Sequence, residues 1–109
     1  MITLILTKAE ADRADWALDP MRDHASDDPE ESRYPEKAVP TLAGTQLTFP
    51  SDDRAVPLDM LYRLEVQLAE MAKDNDERYP RAARWLASKI RTAFAVTEDE
   101  SRAIARGEV

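Results

Sequence analysis

Residues 78–95 read RYPRAARWLASKIRTAFA, and this stretch has the clearest helical periodicity in the chain. At about 100° per residue, its larger apolar side chains fall on one side of a helix, which predicts a face buried in a core. The residues of that face are Tyr79, Ala82, Ala83, Leu86, Ile90, Ala93 and Phe94. Basic residues and a tryptophan occupy the other side: Arg78, Arg81, Arg84, Trp85, Lys89 and Arg91. The pattern predicts an amphipathic helix at about 80–95 with a basic outer face.

Three more helices are predicted from capping signals and periodicity. A threonine followed three residues later by a glutamate, the capping-box spacing, occurs twice and indicates helices at about 8–18 and 98–106. The second of these is expected to stop at Gly107. An apolar stretch after Pro57 predicts a helix at about 58–74, and its wide apolar face indicates either the centre of the domain or a seam between two copies.

Two short strands are predicted, at about 1–7 and 45–50, because apolar and polar residues are interleaved there. The proline-rich, acidic stretch at about 22–45 has few large apolar side chains and predicts a long loop. Together these elements indicate an α+β fold, predominantly helical, in one small domain covering 1–109. Two strands alone are marginally stable, so helices must pack on them or a second copy must extend the sheet.

Composition argues against most enzyme classes. The 109 residues include no cysteine and one histidine, which excludes thiolate chemistry and multi-histidine metal sites. With only two glycines, the chain has no G-x-G-x-x-G motif or P-loop, and no G-x-S-x-G elbow is present. We therefore expect no catalytic, cofactor-binding or metal-binding residues, and no enzymatic activity.

The cellular context can also be anticipated. No apolar run is long enough to span a membrane, and the N-terminus lacks the basic and apolar regions of a secretory signal, so a cytoplasmic protein is expected. Arginine outnumbers lysine 11 to 4, a bias that fits a GC-rich genome and suggests a bacterial or phage origin. The formal net charge of -7 arises wholly within residues 1–60 and disfavours general coating of nucleic acid.

The basic side of the 80–95 helix has three interpretations. In the first, Arg81, Arg84 and Lys89 pair with an acidic ridge on the first helix, and Trp85 is buried between the two helices. The carboxylates of this ridge are Asp12, Asp15 and Asp19. Alternatively, Trp85 and the basic residues form a surface for another protein or a second copy, since Trp and Arg are enriched at interface hot spots. A third interpretation is contact with nucleic-acid phosphates. The candidate partner-binding residues are Arg81, Arg84, Trp85, Lys89, Arg91 and Trp16.

The sequence favours a small accessory or inhibitor-type protein that binds another protein and can self-associate. One alternative is a nucleic-acid-binding regulator that uses the basic face of residues 78–91. The other is a nucleic-acid mimic, in which carboxylates imitate a phosphate track and block a basic groove on a target. The carboxylates available for mimicry are Asp12, Asp15, Asp19, Asp23, Asp27, Asp28, Glu30 and Glu31.

Overall fold

Four helices and a three-stranded antiparallel sheet make up the described part of the chain. The structure, a computed structural model, describes residues 1–24, 28, 34–50, 54–71 and 78–105. The elements in chain order are β1 (Ile2–Ile5), α1 (Lys8–His24), β2 (Thr41–Ala43), β3 (Gln46–Phe49), α2 (Ala55–Met71), α3 (Arg78–Phe94) and α4 (Glu98–Ala105), with one short 3-10 turn at Glu36–Ala38. The predicted α+β, predominantly helical fold is confirmed.

The sheet has the strand order β1-β3-β2, so β3 lies in the centre. Ile2 of β1 is opposite Phe49, and the pairing continues to Ile5 opposite Gln46. A two-residue turn joins β2 to β3, and Gly44 adopts a φ of +62° there, a conformation that glycine reaches without steric cost. The sequence prediction included β1 and β3 but not β2. It missed β2 because this strand has three residues and lies within the proline-rich stretch.

The predicted loop at about 22–45 is wrong at three places. Helix α1 extends through His24, and the 3-10 turn and β2 lie within the same stretch. The helix was expected to end near residue 18 because Pro20 removes a backbone donor, which costs about 3 kcal/mol inside a helix. Continuation places Met21 on the same face as Leu18, and both are fully buried. Burying a large apolar side chain contributes about 1.5–3 kcal/mol, which offsets much of that cost. Residues 25–27 and 29–33 of the predicted loop lie outside the described residues.

The other boundaries differ from the predictions by a few residues. Helix α2 begins at Ala55 rather than at about 58, so Pro57 lies in the first turn, where its missing N–H has no helical acceptor to lose. Its predicted end near 74 and the predicted stop of α4 at Gly107 lie outside the described residues. Helix α3 starts two residues earlier than predicted, at Arg78.

The core lies between the inner face of the sheet and helices α1, α2 and α3. Phe49 of β3 meets Phe94 of α3 edge to face, with ring centroids 4.8 Å apart. Helix α2 contacts α1, α3 and α4, and Met60, Leu61 and Leu64 of its apolar face are fully buried, whereas Val66 is 39% exposed. The largest fully buried apolar side chains are Phe49, Leu18, Met21, Leu47, Met60, Leu61, Leu64, Leu86, Ile90 and Val56.

Both predicted capping boxes are present. The Thr7 backbone N–H donates to Glu10 Oε1 at 2.8 Å, and the Glu10 N–H donates to Thr7 Oγ1 at 3.2 Å. The same reciprocal pair links Thr97 and Glu100 at the start of α4, at 3.2 and 3.1 Å. These bonds satisfy helix donors that otherwise have no partner.

Candidate protein-interaction surface

Helix α3 places its apolar side in the core and leaves Trp85 in solvent. Ala83, Leu86 and Ile90 are fully buried, whereas 55% of the Trp85 surface is exposed. Burial of Trp85 between α1 and α3, the first of the three interpretations, is therefore wrong. An indole this exposed leaves a large apolar surface in contact with water.

A groove of about 280 Å³ lies beside Trp85. Thr7 and Ala9, at the start of α1, form one wall, and α3 forms the other with Arg81, Ala82 and Trp85. Arg81 and Trp85 are four residues apart and so share one side of the helix. The arrangement places an exposed aromatic ring and an exposed guanidinium next to the same depression.

A second groove, of about 390 Å³, follows the first along α3. Its lining residues are Thr3, Leu4, Ile5, Ser88, Lys89, Thr92 and Ala93. Ile5 is 63% exposed, so each of the two grooves has a large exposed apolar side chain at its margin. The N-terminal segment 3–9 and α3 together form a surface that combines concave shape with exposed apolar groups.

Lys89 closes part of this surface by bonding to two elements at once. Its Nζ donates to Glu10 Oε1 at 2.7 Å and to the Ile5 carbonyl oxygen at 3.1 Å. Only 1% of the Glu10 side chain is exposed, and its Oε2 atom is buried with no hydrogen-bond partner in the described residues. Burial by itself raises the pKa of Glu10, but the hydrogen bonds from Lys89 and Thr7 outweigh it and hold the pKa below its ordinary value of 4.5.

The remaining basic residues of α3 do not share this side of the helix. Arg84 and Arg91 are seven residues apart, so they lie along a common flank, and neither lines the two grooves. Within the described residues, Arg81, Arg84 and Arg91 form no ion pair. The basic face is thus divided into two flanks, of which only the Arg81 flank adjoins the grooves. The side chain of Arg78 lies outside the described part of the chain.

Trp16 occupies a different part of the surface. It is 45% exposed and borders a pocket of about 260 Å³ with Arg13 of α1 and with Gln67, Glu70 and Met71 of α2. Gln67 is 2% exposed, and its two amide atoms have no hydrogen-bond partner among the described residues. The structure therefore places Trp16 apart from the grooves of α3.

The acidic ridge of α1 is directed to solvent. Asp12, Asp15 and Asp19 are exposed, and Arg22 of the same helix lies 3.6 Å from Asp15 and 3.0 Å from Asp19. The cation bound to α1 from α3, Lys89, contacts Glu10 instead of this ridge. Several carboxylates considered for mimicry, Asp27, Glu30 and Glu31, lie outside the described residues, so a mimicry role stays a prediction.

The described residues include no group of three histidine, aspartate or glutamate side chains placed to hold a metal ion. The side chain of His24 is not among those described. No helix in the described ranges is both long enough and apolar enough to cross a membrane. Comparison of the chain with protein-family models, curated protein sequences and solved structures found no match.

The period of α3 predicts that Trp85 and Arg81 lie on its outer side, but no sequence pattern indicates that residues of β1 line the adjoining groove. Thr3 and Ile5 were assigned only to a strand, because nothing in a sequence indicates which strand lies at the edge of a sheet. Glu10 was recognised as a capping residue. Its contact with Lys89, 79 positions away, had no local signal.

Proposed function

We propose that this chain is a non-enzymatic protein that binds another protein through the surface between its segment 3–9 and α3. The observation that supports this proposal is the placement of two large exposed apolar side chains, Ile5 and Trp85, beside adjacent grooves. Apolar groups gathered at a concave surface are typical of protein interaction sites.

Arg81 is the second component of the proposed site. It is exposed, lines the groove of Trp85 and forms no ion pair within the described residues. Trp and Arg are the residue types that most often account for the binding energy of an interface. We therefore assign the anchoring role to Trp85 and Arg81. Arg84, Lys89, Arg91 and Trp16 stay in the proposal as candidate contacts of lower rank.

The wider setting is also part of the proposal. An accessory or inhibitor-type role, a bacterial or phage origin and a cytoplasmic location are supported by composition alone. Self-association was first expected at the wide apolar face of α2. Most of the large side chains on that face are buried against α1, α3 and α4, so we place a second copy, if one binds, beside β1 and α3.

Affinity capture from the native host tests the proposal. The tagged chain is compared with the double variant Trp85→Ala/Arg81→Glu, and bound proteins are identified by mass spectrometry. We expect the double variant to lose the partner, with affinity lowered about 30-fold or more, as truncation of a hot spot does. Circular dichroism should be unchanged, because both side chains are exposed.

The matched control is Val66→Ala/Lys37→Glu, which also removes an exposed apolar side chain and reverses one exposed cation, but elsewhere on the surface. This control should capture the partner as the parent chain does. Equal capture by Trp85→Ala/Arg81→Glu and by the parent chain would contradict the assignment of the site. Absence of any specific partner for the parent chain would contradict the proposed function itself.

A further inference from the structure

The exposed edge of β1 presents backbone groups to the groove beside α3. The Leu6 N–H donates to the Thr45 carbonyl at 2.8 Å, so the backbone N–H of Leu6 is directed toward β3. Because inward and outward residues alternate in an antiparallel pair, Thr3 and Ile5 direct their N–H and C=O groups away from β3. The bond from Lys89 to the Ile5 carbonyl, which reaches β1 from its outer side, agrees with this alternation.

Three of these outward groups are available for pairing. Within the described residues, the N–H and C=O of Thr3 and the N–H of Ile5 form no hydrogen bond outside the β1–β3 pairing, and the alternation along β1 directs them away from that pairing. A row of alternating donors and acceptors is matched by the backbone of another extended chain. Edge strands with this property readily accept an additional strand unless they are covered.

Helix α3 leaves room for such a strand. Four residues of α3 line this groove of about 390 Å³, and three of them, Ser88, Thr92 and Ala93, have small side chains. The fourth, Lys89, bonds to Glu10 and to the Ile5 carbonyl. Large residues in place of the three small ones would fill that space. A groove of this volume has room for part of an extended backbone, whose side chains could extend to Trp85 in the adjoining groove.

Charge selects the kind of chain that fits. Among the described residues, Arg81 and Lys89 are the charged ones that line the two grooves, and no described carboxylate lines either groove. Glu10 neutralises Lys89, so Arg81 is the cation left to pair with a ligand. An acidic side chain on the bound segment would meet it.

Resting on the proposed function, we propose that the partner contributes an extended, acidic segment that adds to the sheet as a fourth strand at the edge of β1. Its backbone pairs with Thr3 and Ile5 in the groove beside α3. An acidic side chain of the segment pairs with Arg81, and an apolar side chain covers Trp85. Lys89 keeps its bond to Glu10 and releases the Ile5 carbonyl to an N–H of the incoming strand.

The test is selection from a phage-displayed library of random twelve-residue peptides against the purified chain. We expect enrichment of peptides that alternate β-branched or aromatic residues with polar ones and that contain Asp or Glu. The variants Thr3→Pro and Ser88→Phe should each lower the affinity for a selected peptide about tenfold or more. The first removes an outward N–H that β3 does not use, and the second fills the groove from an exposed position of α3.

Two further variants serve as controls for the peptide measurement. Ala69→Phe adds the same bulk at an exposed position of α2 and should leave the affinity of a selected peptide unchanged. Arg81→Glu should remove the preference for acidic residues in a repeated selection. Failure of the library to enrich any peptide, or equal binding by Thr3→Pro, Ser88→Phe and the parent chain, would overturn the proposal.

Sedimentation of the chain alone tests whether a second copy of the chain occupies the edge of β1. A mass that rises with concentration toward twice 12.3 kDa, and that stays at 12.3 kDa in Thr3→Pro, would assign the edge to a second copy and overturn the proposed segment. The same variants distinguish failure of strand addition from failure of the proposed binding function. If Trp85→Ala/Arg81→Glu loses the captured partner while Thr3→Pro and Ser88→Phe both keep it, the binding function stands and strand addition fails.

Discussion

Glu10 performs two tasks with one carboxylate oxygen. Its Oε1 accepts the Thr7 N–H that closes the capping box and also accepts Lys89 Nζ from α3. The capping box begins α1, and the ion pair fastens α3 to it beside the Ile5 carbonyl. A residue that the sequence identifies as local is thus also a tertiary contact beside the proposed binding surface.

The lowered pKa of Glu10 makes stability depend on pH. A carboxyl whose pKa is lower in the folded state than in the unfolded chain stabilises the fold above the unfolded pKa, near 4.5, and loses that contribution as pH falls through the folded pKa. We expect Glu10→Gln to lower the free energy of unfolding by about 1–3 kcal/mol at neutral pH, because charge-assisted hydrogen bonds are lost.

Urea unfolding of the parent chain and of Glu10→Gln, measured from neutral pH down to about pH 3, checks this prediction. The difference in stability between the two should shrink as the pH falls below 4.5, since protonated Glu10 resembles glutamine. Lys89→Met should reproduce part of the neutral-pH loss. A difference that stays constant over the whole pH range would contradict the role assigned to the Glu10 carboxylate.

At the scale of elements, α3 ends with a strained residue. Ala95 has a φ of 54°, and the Val96 N–H donates to the Arg91 carbonyl at 3.0 Å, the bond of a Schellman motif. A left-handed conformation costs about 1–2 kcal/mol for a residue with a Cβ atom. The turn directs Val96 into the core, where it is 6% exposed, and burial of this side chain offsets the strain.

Ala95→Gly should therefore stabilise the protein. The gain in the free energy of unfolding is expected to be about 0.5–1 kcal/mol, since relief of strain exceeds the extra entropy of glycine in the unfolded chain. Thermal and urea unfolding of the variant measure it. A control substitution, Ala69→Gly in the interior of α2, should instead destabilise by a similar amount. Destabilisation by Ala95→Gly would show that the turn does not strain Ala95.

The elements were predictable where the signal was local. Both capping boxes and the period of α3 lie within a few residues, and the structure confirms them. Helix α1 was predicted too short because Pro20 opposes a helix locally, whereas the burial of Met21 that outweighs it depends on packing with the rest of the core. Strand β2 exists because β3 pairs with it, and its three residues carry no pattern of their own.

The candidate site was likewise predictable only where the signal was local. The period of α3 placed Arg81 and Trp85 on its outer side, but it could not tell whether α1 covers Trp85. Ile5 joins the site because β1 is at the edge of the sheet, a property of the strand order. A surface built from two distant segments, 3–9 and 81–93, has no continuous signature in the sequence.

For the whole molecule, the net charge of -7 is distributed unevenly. Asp15 and Asp19 on α1 pair with Arg22 of their own helix, and within the described part of the chain one ion pair, Glu10 to Lys89, links α1 to the basic residues of α3. Three cations of α3 with described side chains, Arg81, Arg84 and Arg91, therefore have no ion pair with the described carboxylates of the acidic half. This arrangement favours an acidic partner at α3. Because the basic residues of α3 lie on two separate flanks, they do not form one continuous track for phosphates.

Fluorescence of Trp85 in the single-tryptophan variant Trp16→Phe tests the central claim most directly. In the free protein, acrylamide should quench Trp85 readily and its emission should be that of an indole in water, because 55% of the residue is exposed. Addition of the captured partner should shift the emission to the blue and protect Trp85 from quenching. Unchanged emission and quenching in the complex, or a Trp85 already shielded in the free protein, would contradict the account.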